Sequence, residues 1–195
     1  KDYRIVESVI HVDRRMSYSQ IQRIVEDEDE AEQKALAEFL PMFMRMKDLA
    51  KILRQKRKAR GSIDFDMPES KIYLDENGVP LEILPYEHNT ATRIIEEFML
   101  IANETVASHM FWQDYPFVYR THDTPDPEKI EKLATLIQNF GHTMKKSKEE
   151  IHPKEIQKLL GSIEGSAEEN LITRLTLRSM KQARYSTDCT GHFGL

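Results

Sequence analysis

The chain has 195 residues and a mass of 22.9 kDa, enough for one generous domain with a real hydrophobic core. Apolar residues make up 39% and charged residues 31%, a composition that excludes a disordered chain, collagen, a coiled-coil array and a disulfide scaffold. The net charge of −5 argues against a simple basic nucleic-acid clamp, no apolar run approaches a membrane span, and the lone Cys189 points to a reducing, cytoplasmic setting.

Residues 2–12 (DYRIVESVIHV) open in a strand pattern. Tyr3, Ile5 and Val9 share one parity and Val6, Ile10 and Val12 the other, which predicts a strand inside a larger sheet. Ser17 and Gln20 have capping-box spacing, so a helix is predicted from Tyr18 to about Glu26. Residues 30–58 are helix-permissive except at Pro41, which should kink or split the helix, and Gly61 should stop it. SIDFD, KIYLD and VPLEILP read as short strands, with Glu76 to Gly78 as a hairpin turn. Residues 88–112 read as a long, largely buried helix, and FVYRTH as a short strand. Helices follow near 127–140, 153–164 and 167–184, the last with a second capping-box spacing, Ser166 to Glu169. The expected fold is α+β, one domain over residues 1–195, with long helices packed on a small, mostly antiparallel sheet. The chain opens at Lys1 in a strand pattern and closes on the apolar GHFGL, so both ends read as cut from a larger domain. An exposed sheet surface would then favour a dimer or aggregation.

Charge is uneven. Residues 26–32 are acidic and residues 51–60 (KILRQKRKAR) strongly basic, each either a solvated helix face or a local interaction surface. Seven histidines are scattered, with no HExxH, and there is no GxGxxG or Walker loop. Cys189 lies near His192 but lacks the context of a Cys-His nucleophile. Asp64 and Asp66 would share a strand face opposite Phe65, as a Mg²⁺ pair or as a plain exposed polar face. Glu96 and Glu97 sit inside an otherwise apolar helix, turned ~100° apart, so only one can face solvent comfortably. The other must be paired, with Arg93 or a neighbouring helix, or must meet a ligand such as a ribose 2′-hydroxyl. Arg174, Arg178 and Lys181 would line one helix face, as phosphate contacts or as a solvated stripe.

Four segments occur in one order: RRMSYSQIQRIVED, RGSIDFDMPESKI, NTATRIIEEFMLIANETVA, and LRSMKQARYS followed by GHFGL. Together they resemble the catalytic RNB domain of the family that holds ribonucleases R and II, over the whole chain. The resemblance implies processive 3′→5′ hydrolysis of single-stranded RNA to nucleoside 5′-monophosphates with Mg²⁺, by a two-metal displacement. It implies the middle portion of an RNB domain. The family's aspartate cluster, D-x5-D-x-D-D, is not found in these residues, nor is its arginine-bearing segment SPIRRYPDL. No catalytic or metal-ligating residue is therefore assigned, and the isolated chain is expected to be inactive, forming the RNA-channel wall.

The resemblance carries several positions over. Tyr18 matches a tyrosine that helps the site prefer ribose, and Glu96 matches its partner, with Glu97 left as the alternative register. Phe65 matches an aromatic that stacks on a base, which demotes Asp64 and Asp66 as metal ligands. Arg178, Lys181 and His192 lie in matching motifs and are assigned to RNA binding. His88 stands where relatives more often carry arginine. The alternative is a degenerate RNB-like module that binds RNA or scaffolds without catalysis; a generic helical interaction domain is the third reading.

Overall fold

Ser17 starts the first helix as its spacing predicts. In the computed structural model, which describes residues 2–65, 70–85, 88–145 and 151–194, Ser17 Oγ accepts the Gln20 N–H at 3.2 Å and α1 runs Tyr18–Val25. The Gln20 side chain turns away from the cap and donates to Glu32 Oε2. Asp29 caps α2, Glu30–Ala35, accepting the N–H groups of Ala31 and Glu32. The chain breaks at residues 36–39 and resumes as α3, Leu40–Arg60, with Pro41 in the first turn, where an N–H has no helical partner to lose. The predicted split at Pro41 is thus observed. Gly61 ends α3 at φ 106°, a left-handed conformation that a side chain resists.

An antiparallel hairpin follows, β1 Ser70–Leu74 and β2 Pro80–Pro85. Its turn is organised by Asp75, whose carboxylate accepts the N–H groups of Asn77 and Val79, with Gly78 at φ 80°. A capping box of Asn89 and Thr92 starts α4, Thr90–Trp112. Strand β3, Tyr119–Thr121, precedes α5 Pro127–Gln138, α6 Pro153–Ile163 and α7 Glu169–Ser179, and β4, Arg184–Ser186, returns antiparallel to β3. The architecture is α+β, with the described strands forming two separate two-stranded ribbons.

Two apolar bodies result. Ile24, Val25, Leu36 and Phe43 join α1 to α3. In the C-terminal half, Ile130, Leu133 and Ile137 of α5 meet Ile156, Leu159 and Ile163 of α6, and Ile172 of α7 closes the group. Each of these triplets has i, i+3, i+7 spacing, one stripe per helix. Burying each such side chain is worth about 1.5–3 kcal/mol.

Four expectations differ. Residues 2–12 form no strand and stay exposed, because a strand with two apolar faces needs ladder partners at its edges and packing layers over both faces, and none of the described residues pairs with it in a ladder. Residues 62–65 of SIDFD are irregular, since their backbone is engaged elsewhere: Ile63 N–H donates to Gly194 O and Ser62 O accepts from Gln157. Asp66 lies outside the described residues. Helix α4 is not largely buried: it buries Ala91, Ile94 and Glu97, while Ile95 and Met99 are exposed, because α1 and α3 cover only one side. Finally, α7 starts at Glu169 and stops at Ser179. The Ser166–Glu169 box is not made, as Glu169 Oε2 accepts the Gly165 N–H instead, and the C-terminal stretch is drawn off to pair with β3.

Candidate nucleic-acid interface

The last turns of α3 carry Arg54, Arg57 and Arg60, three residues apart and so on adjoining positions of one face. Opposite them α4 presents Glu97 and Glu104, two turns apart on one face. Arg57 Nη2 donates to Glu97 Oε1 at 2.7 Å, and Arg60 grips both oxygens of Glu104 at 2.7 and 3.1 Å. Arg57 also donates from Nη1 to Asp64 Oδ1 at 2.8 Å, and Arg54 takes the other Asp64 oxygen at 3.2 Å. The basic run is therefore not simply a solvated face. Burial, the largest single influence, lowers the affinity of Arg57 for its proton, but the bonds to Glu97 and Asp64 outweigh it and hold the pKa above its ordinary value.

This pairing separates the two glutamates. Glu97 is 3% exposed and sealed against Arg57. Glu96 keeps a carboxylate that is 50% exposed, with Oε1 3.9 Å from Arg57 Nη2. The neighbouring-helix reading of the buried glutamate applies to Glu97, and Glu96 is the one open to a ligand.

Between this helix pair and the β3–β4 ribbon runs a groove of about 1840 Å³. Phe65, Arg178, Lys181 and His192 all line it. Among the described residues, six lining side chains are cationic, namely Arg57, Arg60, Arg120, Lys129, Arg178 and Lys181, and one is a carboxylate, Glu104. Arg57 and Arg60 are paired across α3 and α4, and the other four lie outside that pairing. A chain of net charge −5 thus concentrates positive charge in one cleft. Phe65 has its inner side on the cluster of Ile130, Ile156 and Phe193 and its outer side in the groove. Arg178 lies in the last turn of α7, but Lys181 lies beyond the helix, so the predicted helical stripe of Arg174, Arg178 and Lys181 does not exist; the turn after Ser179 is what aims Lys181 at the groove.

The far wall hangs on His122. Its Nδ1 is 2.8 Å from Phe193 O and its Nε2 2.6 Å from Lys181 O, while its backbone bonds Gly191 and Phe193. His192 stacks edge-on against it, ring centroids 5.0 Å apart, and its Nδ1 is buried with no partner among the described residues. Burial first, then the neighbouring His122 and Arg120, hold the His192 pKa below the ordinary histidine value. Neither Arg57 nor His122 was singled out from the sequence. The three-residue spacing of the arginines, matched by the seven-residue spacing of Glu97 and Glu104, could have revealed the first. Nothing local marks His122.

Tyr18 and Glu96 do not line the groove. Tyr18 is 49% exposed at the start of α1. Among the described residues no hydrogen bond or ring contact joins it to Glu96 or Phe65. Asp64, with both oxygens committed to arginines, does not fit a Mg²⁺ ligand. No cluster of three or more His, Cys, Asp or Glu that could hold a metal occurs among the described residues.

The RNB domain family matches residues 1–195. The chain belongs to the RNB domain family. It is 44% identical over 195 residues to Ribonuclease R of Aquifex aeolicus, covering 100% of this chain and 27% of that protein. Ribonuclease R of Thermotoga maritima is 40% identical over 194 residues, again across 27% of its length. This RNB chain thus spans about a quarter of the curated relatives it matches. In fold it is similar to RNase R of Mycoplasma genitalium, solved in complex with ribose methylated single-stranded RNA, with a TM-score of 0.78 at 24% identity over 91% of this chain and 27% of that one. Among the described residues no helix is long and apolar enough to cross a membrane.

Proposed function

We propose that this RNB chain forms the RNA-channel wall of a processive 3′→5′ exoribonuclease that releases nucleoside 5′-monophosphates. The observation that carries the reading is the cationic groove holding Phe65, Arg178, Lys181 and His192 together in an acidic chain. Cations along a cleft track a phosphate backbone, and an aromatic ring stacks on any base, which suits a nonspecific exonuclease. Glu96, exposed on α4, accepts a ribose 2′-hydroxyl, and Tyr18 supports that choice of sugar. Mg²⁺ and the displacement chemistry belong to residues of the parent protein outside this chain, so the chain alone binds RNA without cutting it. The parent works in the cytoplasm, and the isolated chain self-associates through the exposed apolar residues of 2–12 and of the β1–β2 hairpin.

The test is fluorescence anisotropy of the chain with a 3′-tailed single-stranded RNA across a salt series. The four described groove cations outside the α3–α4 pairing, Arg120, Lys129, Arg178 and Lys181, set a log–log salt slope of about −3, at roughly −0.7 per phosphate contact. Binding no tighter than that of an unrelated acidic protein at low salt overturns the reading. In a parallel assay with Mg²⁺, no mononucleotide is released; steady release that survives repurification overturns the assignment of catalysis to other parts of the parent. The second reading, a non-catalytic RNB module, draws on a fold likeness to yeast Ssd1, a pseudonuclease, at a TM-score of 0.56. The presence or absence of the aspartate cluster in the parent sequence separates the two.

A further inference from the structure

Arg57 joins two stretches of backbone that each carry a residue assigned above to RNA. It is 6% exposed, and its planar guanidinium is occupied along three nitrogens. Nη1 holds Asp64, the residue before Phe65, at 2.8 Å. Nη2 and Nε hold the Glu97 carboxylate at 2.7 and 3.4 Å, and Nη2 is 3.9 Å from the Glu96 carboxylate one residue earlier. A guanidinium is rigid, so the directions of these bonds are fixed relative to one another. The residue 62–65 segment has no strand ladder to set its place. Its start is pinned to the C-terminal half through Gln157 and Gly194, and Arg57 sets the Asp64 end against α4.

We propose that Arg57 is a positioning residue that sets the Phe65 ring and the Glu96 carboxylate at one mutual spacing, and so determines how strongly the chain prefers RNA to DNA. The inference rests on the RNA-channel reading above and goes beyond it in assigning sugar selectivity to a residue that is buried at the groove's edge and whose guanidinium is held by Asp64 and Glu97. Base stacking alone does not distinguish the sugars, whereas a 2′-hydroxyl is read only when base and ribose are held together in register. Displacements on the order of 1 Å are enough to lose such selectivity. Lysine keeps the charge of Arg57 but presents a point donor in place of the fork, so it cannot hold Asp64 and Glu97 in the same geometry.

The experiment measures anisotropy of one fluorescent single strand, as RNA and as the all-2′-deoxy form, with the wild-type chain and with Arg57→Lys, alongside melting curves. The expected result is a wild-type preference for RNA that falls at least fivefold in Arg57→Lys, chiefly through weaker RNA binding. Asp64→Ala removes the acceptor and cuts the same link from its more exposed end, and should lower the ratio likewise; it carries the test if Arg57→Lys does not fold. Equal loss of RNA and DNA affinity, or an unchanged ratio, marks Arg57 as merely structural and overturns the proposal while leaving the channel reading intact. A wild-type chain that binds neither strand overturns both.

Discussion

Adjacent glutamates on α4 should respond to truncation to very different degrees. Glu97→Ala removes one partner of an ion pair whose side chains are 7% and 4% exposed. Breaking a buried pair from one side costs about 3–5 kcal/mol, since the remaining charge is left in a poorly solvated place. Arg57 retains Asp64 at 2.8 Å, so the cost should fall near the lower end, about 3 kcal/mol. For a chain of this length that is a fall of roughly 6–12 °C in melting temperature. Glu96→Ala removes a carboxylate that is 50% exposed and 3.9 Å from its partner, a geometry worth at most about 1 kcal/mol. Urea unfolding followed by far-ultraviolet circular dichroism reads both, with the midpoint moving and the slope preserved. The double variant Arg57→Met with Glu97→Leu should recover much of the loss, because replacing both charges by apolar groups removes the desolvation cost along with the attraction. If Glu96→Ala costs as much as Glu97→Ala, the burial argument is wrong and the assignment of the exposed glutamate falls with it.

Further outcomes are expected elsewhere. Phe65→Ala should weaken single-stranded RNA binding by about 1–3 kcal/mol, roughly 5- to 150-fold, independent of base sequence; a loss confined to one base composition would contradict stacking. Gly61→Ala should destabilise the chain by about 1–3 kcal/mol, because Gly61 sits at φ 106° and a Cβ there would stand 2.7 Å from Lys154 Cγ; unchanged urea unfolding would refute this. Stability should fall on acidification in two stages. The folded chain holds His192 below its ordinary value of 6.5, so the unfolded chain binds the extra proton first and stability declines as pH drops through the mid-6 range. Glu26 and Glu32, held below 4.5 by their bonds to Lys47 and Thr90 and to Gln20 and Arg23, contribute stability that is lost only at lower pH. His192→Gln should remove the first stage and leave the second, as read from melting temperature against pH.

Local chemistry determined much of this chain. Capping at Ser17, the split before Pro41, the stop at Gly61, the Asp75–Gly78 turn and the helical stripes of α5 and α6 depend on residues within about eight positions of each other. Such features are legible because the interactions that create them close within a turn or two. The family was legible in four ordered segments. Tertiary structure alone decided the rest. Residues 2–12 carry strand chemistry but form no strand, since a ladder needs a partner that propensity cannot supply. Lys181 reads as helical and is released because β4 pairs with β3, far away in sequence. Which of Glu96 and Glu97 is buried turned on which of two positions ~100° apart on one helix faced α3, where Arg57 lies forty residues upstream. Burial is a property of neighbours brought together by folding, and a carboxylate becomes either an ion-pair partner or a ligand acceptor only once those neighbours are in place.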